Sequence, residues 1–291
     1  MKNKSIIITL ISIMSLLVIS LIVFMIVFIN KRPSFNFRFN FKQVSEELQI
    51  DKQYEEIFKE INIETSAADI EIKKSNDNII KLKTYSKENE SKEYVENDTL
   101  TIKIENEKCK FLCINQKISK VELYIPEDYE NKININSNYG DIKIENFENS
   151  IIDIKADAGD IKIDSANTAN IDNKYGDIKI GNIEQGNIKA SSGDIKIDNS
   201  DNLKIENQYG DVEINKINEY INIKANCGDI KINDLNIIED SNIEDDYGDI
   251  IINNTNAFID AHTDLGETKI NNNKSDVTLK IENNCGDIIV K

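Results

Sequence analysis

The chain has 291 residues, with 52 acidic against 35 basic side chains and a formal net charge of −17. A field of that sign disfavours nucleic acid, anionic lipid surfaces and phosphate polymers as partners. One histidine, and no Gly-x-Ser-x-Gly, phosphate-loop or clustered zinc-ligand pattern, leave little from which to build an active site, so no enzyme and no cofactor is expected.

In chain order, residues 1–5 carry Lys2 and Lys4, and an uninterrupted apolar run extends from Ile6 to Ile29. At 1.5 Å per residue a helix over 6–29 spans roughly 36 Å, enough to cross a bilayer with some tilt. The run ends in Ile29-Asn30-Lys31-Arg32 without an Ala-x-Ala cleavage site, which reads as an uncleaved signal anchor. The expectation is a single-pass membrane protein with residues 1–5 cytoplasmic and the C-terminal domain extracytoplasmic. Setting aside Lys2, Lys4, Lys31 and Arg32 leaves −21 for residues 35–291.

Residues 30–52 form a juxtamembrane segment in which Phe35, Phe37, Phe39 and Phe41 alternate with polar residues. Val44–Lys59 fits a short helix as well as irregular chain. From Ile61 the alternation is that of strands, through Asp69–Ile72, Ile79–Leu82, Thr99–Ile104 and Val121–Pro126, with Lys87–Asp98 a charged loop. Residues 53–133 are therefore expected to be irregular β coils that start and cap a stack. Cys109 and Cys113 are spaced for a tight hairpin bridge; a zinc half-site there lacks a nearby His or second Cys pair.

Residues 134–291 carry the signal that fixes the fold class. A Gly-Asp step recurs at Gly140-Asp141, Gly159-Asp160, Gly176-Asp177, Gly193-Asp194, Gly210-Asp211, Gly228-Asp229, Gly248-Asp249 and Gly286-Asp287, with Gly266-Glu267 a variant copy. The intervals run 19, 17, 17, 17, 18, 20, 18 and 20 residues. After each step two apolar residues alternate with polar ones, as in Ile195-Lys196-Ile197, and an Ile stands five residues before most glycines. A fixed period with a turn signal and β-branched inward positions predicts an all-β solenoid of two-stranded coils, about 17–20 residues each, stacked about 4.8 Å apart. Gly supplies a positive φ at the corner, and Asp is suited to bond its own turn backbone.

A second pattern has twice the period. The residue before Gly reads Tyr139, Ala158, Tyr175, Ser192, Tyr209, Cys227, Tyr247, Leu265, Cys285; two residues earlier it reads Ser137, Ala156, Asn173, Ala190, Asn207, Ala225, Asp245, Thr263, Asn283. Large alternates with small through Tyr247, the two positions vary together, and the last copy, Asn283 with Cys285, breaks the rule. Alternation of bulk places Tyr139, Tyr175, Tyr209 and Tyr247 in the core, each ring filling space left by small neighbours. Outward-facing rings would instead form a stripe spaced two coils apart, roughly 9.6 Å, close to the repeat of an extended disaccharide and suited to stacking on a cell-wall glycan. Cys227 and Cys285, three coils apart in chain order, are roughly 14 Å from each other and too far to bridge.

Stacked Asp carboxylates repel, and calcium could relieve that as it does in calcium-binding β-rolls. In most copies the residue two beyond the step's acidic residue is a lysine, Lys143, Lys162, Lys179, Lys196, Lys231 or Lys269, and an ammonium row would neutralise the carboxylates without metal. The single His262 sits at an outward position of the variant coil.

The run Ile61–Ile72, then Leu100-Thr-Ile102, Val121–Pro126 and the repeated Gly-Asp-Ile-x-Ile resembles the bacterial "putative adhesin" family, a domain of unknown function found in LiaG-like envelope proteins. The resemblance covers about 53–291. It implies a non-catalytic module in the cell envelope, serving as scaffold or adhesin toward a wall glycan or an envelope protein. The other reading is a tethered sensor or regulator of an envelope-stress partner.

Overall fold

The computed structural model describes residues 47–105, 119–271 and 274–291. The expected membrane span over 6–29, most of the juxtamembrane segment, and Cys109 and Cys113 lie outside the described residues. Among those described, no helix is long and apolar enough to cross a membrane.

The chain opens with strands β1 (Glu47–Tyr54), β2 (Glu60–Thr65), β3 (Ala68–Ser75), β4 (Ile80–Ser86), β5 (Ser91–Glu96), β6 (Thr99–Ile104) and β7 (Ser119–Pro126). Two expectations are corrected here. Within the segment Val44–Lys59, open to a short helix, Glu47–Tyr54 is β1, antiparallel to β4, and the charged loop contains β5, antiparallel to β6. Both strands are mostly exposed and rich in polar and charged residues, so neither shows the buried alternation that marks the other strands.

The body consists of β8 (Lys132–Tyr139), β9 (Ile142–Ala158), β10 (Ile161–Tyr175), β11 (Ile178–Ser192), β12 (Ile195–Tyr209), β13 (Val212–Cys227), β14 (Ile230–Leu235), β15 (Ser241–Tyr247) and β16 (Ile250–Thr255). From β9 to β13 each coil is one long strand that bends from one sheet into the other, not two strands separated by a loop. The Gly-Asp corner interrupts the pairing in every coil, and register shifts fall between Ala166 and Thr168 and between Ser200 and Asn202. The terminal elements are β17 (Phe258–Leu265), β18 (Thr268–Ile270), β19 (Thr278–Cys285) and β20 (Ile288–Val290).

Parallel, in-register pairing aligns like residues. Ile161, Ile178, Ile195, Val212, Ile230, Ile250 and Ile288 follow one another along one sheet, and Ile135, Ile154, Ile171, Ile188, Ile205, Ile223, Ile243 and Ile281 along the other. All of these are buried, and their side chains form the core between the sheets. Each rung has little interior of its own and is closed by its neighbours, the arrangement that makes solenoids cooperative over short range.

The coils do not stack in chain order at either end. Strands β2 and β3 lie between β6–β7 and the rung formed by β8 and the first half of β9. At the other end β19 and β20 lie between β15–β16 and β17–β18. The variant Gly266-Glu267 coil is therefore the physical end of the stack, and the last residues of the chain are its penultimate rung. Chain order would place Cys227 and Cys285 three coils apart; they flank Tyr247 at two coils, roughly 9.6 Å, still beyond disulfide reach.

Candidate functional site: the glycine–aspartate edge

The corners superpose into one edge running the length of the solenoid. At Gly193 the backbone has φ of +130°, and a Cβ there would lie 2.2 Å from the carbonyl oxygen of Gly176. Backbone approaches backbone more closely than any side chain allows, and only glycine also tolerates that φ.

The aspartates that follow do not bond their own turns as the sequence suggested. Each Oδ1 accepts the backbone N–H of the corresponding residue one rung along: Asp69 from Asp141, Asp141 from Asp160, and so on through Asp177, Asp194, Asp211, Asp229, Asp249 and Asp287, whose Oδ1 accepts from Glu267. These distances are 2.8–3.0 Å. The row begins at Asp69, in an Ala-Asp step that lacks the glycine signature of the other copies. Among the described residues, these row aspartates make no ion pair. Two of the lysines expected to neutralise them pair elsewhere, Lys162 with Asp164 at 2.9 Å and Lys196 with Glu213 at 2.9 Å; in the variant end copy Lys269 does pair with the row residue, Glu267, at 2.7 Å. The Asp side chains run along the axis toward the next N–H, so amide dipoles meet their charge instead. Oδ2 of each remains available on an edge that is exposed or half-buried.

The core placement of the tyrosines is overturned. Tyr139, Tyr175, Tyr209 and Tyr247 are 59–62% exposed. Inward alternation stops at the residue three before Gly, and the next two both lie outside as the chain rounds the corner. Leu265, at 71% exposure, occupies the same position on the end rung. In spatial order the row reads Tyr139, Ala158, Tyr175, Ser192, Tyr209, Cys227, Tyr247, Cys285, Leu265. Large and small alternate without exception once the inserted rung is taken into account, so the chain-order break at Leu265 disappears, while Asn283 beside Cys285 still departs from the pairing of Asn with Tyr.

The coupled inner position has its own cause. Asn173 Nδ2 donates to the carbonyls of both Gly159 and Gly176, at 3.3 and 3.1 Å; Asn207 donates to Gly210 at 2.7 Å and Asn283 to Gly248 at 2.8 Å. One amide can serve two adjacent corners, so every second rung can carry Ala, which leaves the amide room. Asp245 occupies the same buried slot with both carboxylate oxygens unpartnered, and burial pushes its carboxyl up to about 6.

On the broad face nearby, Asn134, Asp153, Asn170 and Asn187 line a shallow groove of about 570 Å³. Their amides are mutually engaged, Asn170 donating to Asp153 at 2.6 Å and Asn187 to Asn170 at 2.9 Å. His262 is exposed beside Asp264, 3.0 Å from its Oδ1. Among the described residues no group of three or more His, Cys, Asp or Glu is arranged to hold a metal ion.

The family model described as Toastrack DUF4097 matches residues 58–217 and again 181–291. The chain belongs to the Toastrack DUF4097 family. Among solved structures it is similar to a "putative adhesin" from Bacteroides fragilis at 18% identity, covering 84% of this chain and 97% of that one with a TM-score of 0.46. It is similar also to a "putative adhesin" from Parabacteroides merdae, at 11% identity, 84% and 96% coverage and a TM-score of 0.46. A third, from Parabacteroides distasonis, is described as a "putative lipid binding protein", at 14% identity, 83% and 96% coverage and a TM-score of 0.39. No curated protein matches the chain. The Toastrack match covers the whole corner edge from the Ala68-Asp69 step onward, so that edge lies wholly within the family domain.

Proposed function

We propose that this Toastrack protein is a non-catalytic binding module of the cell envelope, LiaG-like in layout, held at the membrane by residues 6–29 and using its corner edge as an adhesive face. The observation that carries the reading is the row of four tyrosines, each about three-fifths exposed, on an edge fixed by interlocking backbone contacts. Exposed aromatic rings on a rigid support are the usual means of holding a ligand at low entropic cost. The apolar run and its Lys31-Arg32 flank support anchoring, and the acidic domain turns the module away from anionic polymers.

Two measurements test this. Fractionation of cells expressing the full chain should leave it in the membrane fraction, resistant to carbonate and released by detergent; mature protein beginning beyond residue 30 in the medium would refute anchoring. Detergent-solubilised full chain should sediment with isolated envelope fragments, and a variant with all four tyrosines changed to Ser should not. Equal sedimentation of the two would remove the Tyr edge from the function and leave the sensor reading, in which a partner protein is engaged elsewhere.

A further inference from the structure

We infer that the corner edge is a subsite ladder for an uncharged, β-1,4-linked linear polysaccharide, with its chain along the solenoid axis and two sugars per tyrosine. The inference rests on the binding-module reading and adds the ligand class and its register.

Three features of the edge converge on this ligand. The rings recur every second rung, roughly 9.6 Å apart, from Tyr139 to Tyr247 over roughly 29 Å. In a β-1,4-linked chain each sugar is flipped relative to the one before, so the same face recurs every second sugar. A ring on every second rung therefore meets equivalent faces of such a polymer when one sugar spans one rung. Between the rings stand Ala158, Ser192 and Cys227, small enough to admit the flipped sugar that presents its other face. Beside the rings runs the Asp row, one carboxylate per rung, with Oδ1 locked to the neighbouring N–H and Oδ2 free to accept. A fixed acceptor for every sugar suits hydroxyl and N-acetyl N–H donors, and the same row repels uronate or phosphate polymers. The acceptors are already oriented by the fold, so binding does not have to order them.

The test uses the full chain in detergent micelles, titrated with cellohexaose and with hexa-N-acetylchitohexaose, the two arms separating glucan from N-acetylhexosaminan. At least one hexamer should bind, more tightly than its tetramer and dimer, because each added disaccharide reaches another ring. Maltohexaose, which is α-linked, and polygalacturonate, which is anionic, should bind at least tenfold more weakly. Tyr175→Ser should weaken hexamer binding about tenfold and Tyr175→Phe should leave it within about twofold, the size of effect expected for one aromatic stack. The decisive variant is Tyr175→Ser combined with Ser192→Tyr, which keeps the number of rings and moves one by a single rung. Its binding should be as weak as that of Tyr175→Ser alone, with the melting curve of each variant checking that the stack is intact. Parent-like binding by the double variant, or no dependence on chain length or linkage, would overturn the register. Failure of every oligosaccharide while envelope fragments still bind through the tyrosines overturns the glycan class alone; failure of both removes the binding face itself.

Discussion

Asp245 shows what one residue contributes when the slot around it is fixed. The positions equivalent to it hold Asn173, Asn207 and Asn283, whose amides donate to corner carbonyls. A carboxylate cannot donate, and at 4% exposure it is also cut off from water. Burial disfavours the charged form, with the nearby Asp246 and Asp229 charges adding to it, which is why its carboxyl sits near 6 instead of 3.8. The folded state then holds the proton more tightly than the unfolded chain. The stability this lends is fully present below about pH 4 and is lost as pH rises through 6. Asp245→Asn should therefore raise the melting temperature at pH 7.5, by the equivalent of about 1–3 kcal/mol, and the two proteins should converge below pH 4. A constant difference across that range, measured by thermal melts in a pH series, would show that Asp245 does not titrate in the slot. Tyr209 makes the opposite case. Its ring is largely in solvent, so Tyr209→Ala should change stability by no more than about 0.5 kcal/mol, whereas a core Ile197→Ala should cost about 2–5 kcal/mol.

At the scale of elements, the ends carry the information that the repeat pattern alone does not. Among the described residues, β17 and β18 each have a single ladder partner, β19 and β20 respectively. Ending the chain after Asn271 removes those partners. Limited proteolysis of the truncated protein should cut between Ala257 and Asn271, a stretch that stays protected in the full chain. Continued protection there would mean that β17 can dock directly on β15. The middle coils were readable because Ile at fixed offsets reports burial directly, and a parallel in-register stack repeats each environment. Rung order was not readable, because a coil's sequence specifies its inner face and corner but says little about which neighbour lies above it. The one trace of the insertion in the sequence is the break in the large–small alternation at Leu265, which resembles terminal irregularity. The Tyr orientation is hidden for a related reason: strict alternation turns the rings inward, whereas the corner places two consecutive residues outside. The capping role of Asn173 and Asn207 was visible only as covariation with the ring, without its hydrogen-bonded cause.

Across the whole molecule, the Asp row forms one continuous chain of N–H to carboxylate bonds from Asp69 to Glu267. Each carboxylate is held by an amide, which is the task calcium performs in metal-bound rolls. Melts of the full chain in detergent should give midpoints within about 2 °C with millimolar calcium and with chelator, a shift smaller than that of a typical single destabilising substitution. A large upward shift with calcium would assign the row to metal.

The exchanged rung order at both ends constrains how such a stack can change length. A coil appended after Lys291 would follow the penultimate rung, with β17–β18 already occupying the place beyond it. The N-terminal side is closed in the same way, since β2–β3 is held between later parts of the chain. New rungs can enter only through the interior, where the spacing is an unvarying 17 residues from Gly159 to Gly210 and the Asn–Tyr pair returns every second copy. Lengthening by duplication would therefore proceed in steps of two coils, 34 residues from Gly176 to Gly210, each adding one ring to the edge and leaving both ends as they are.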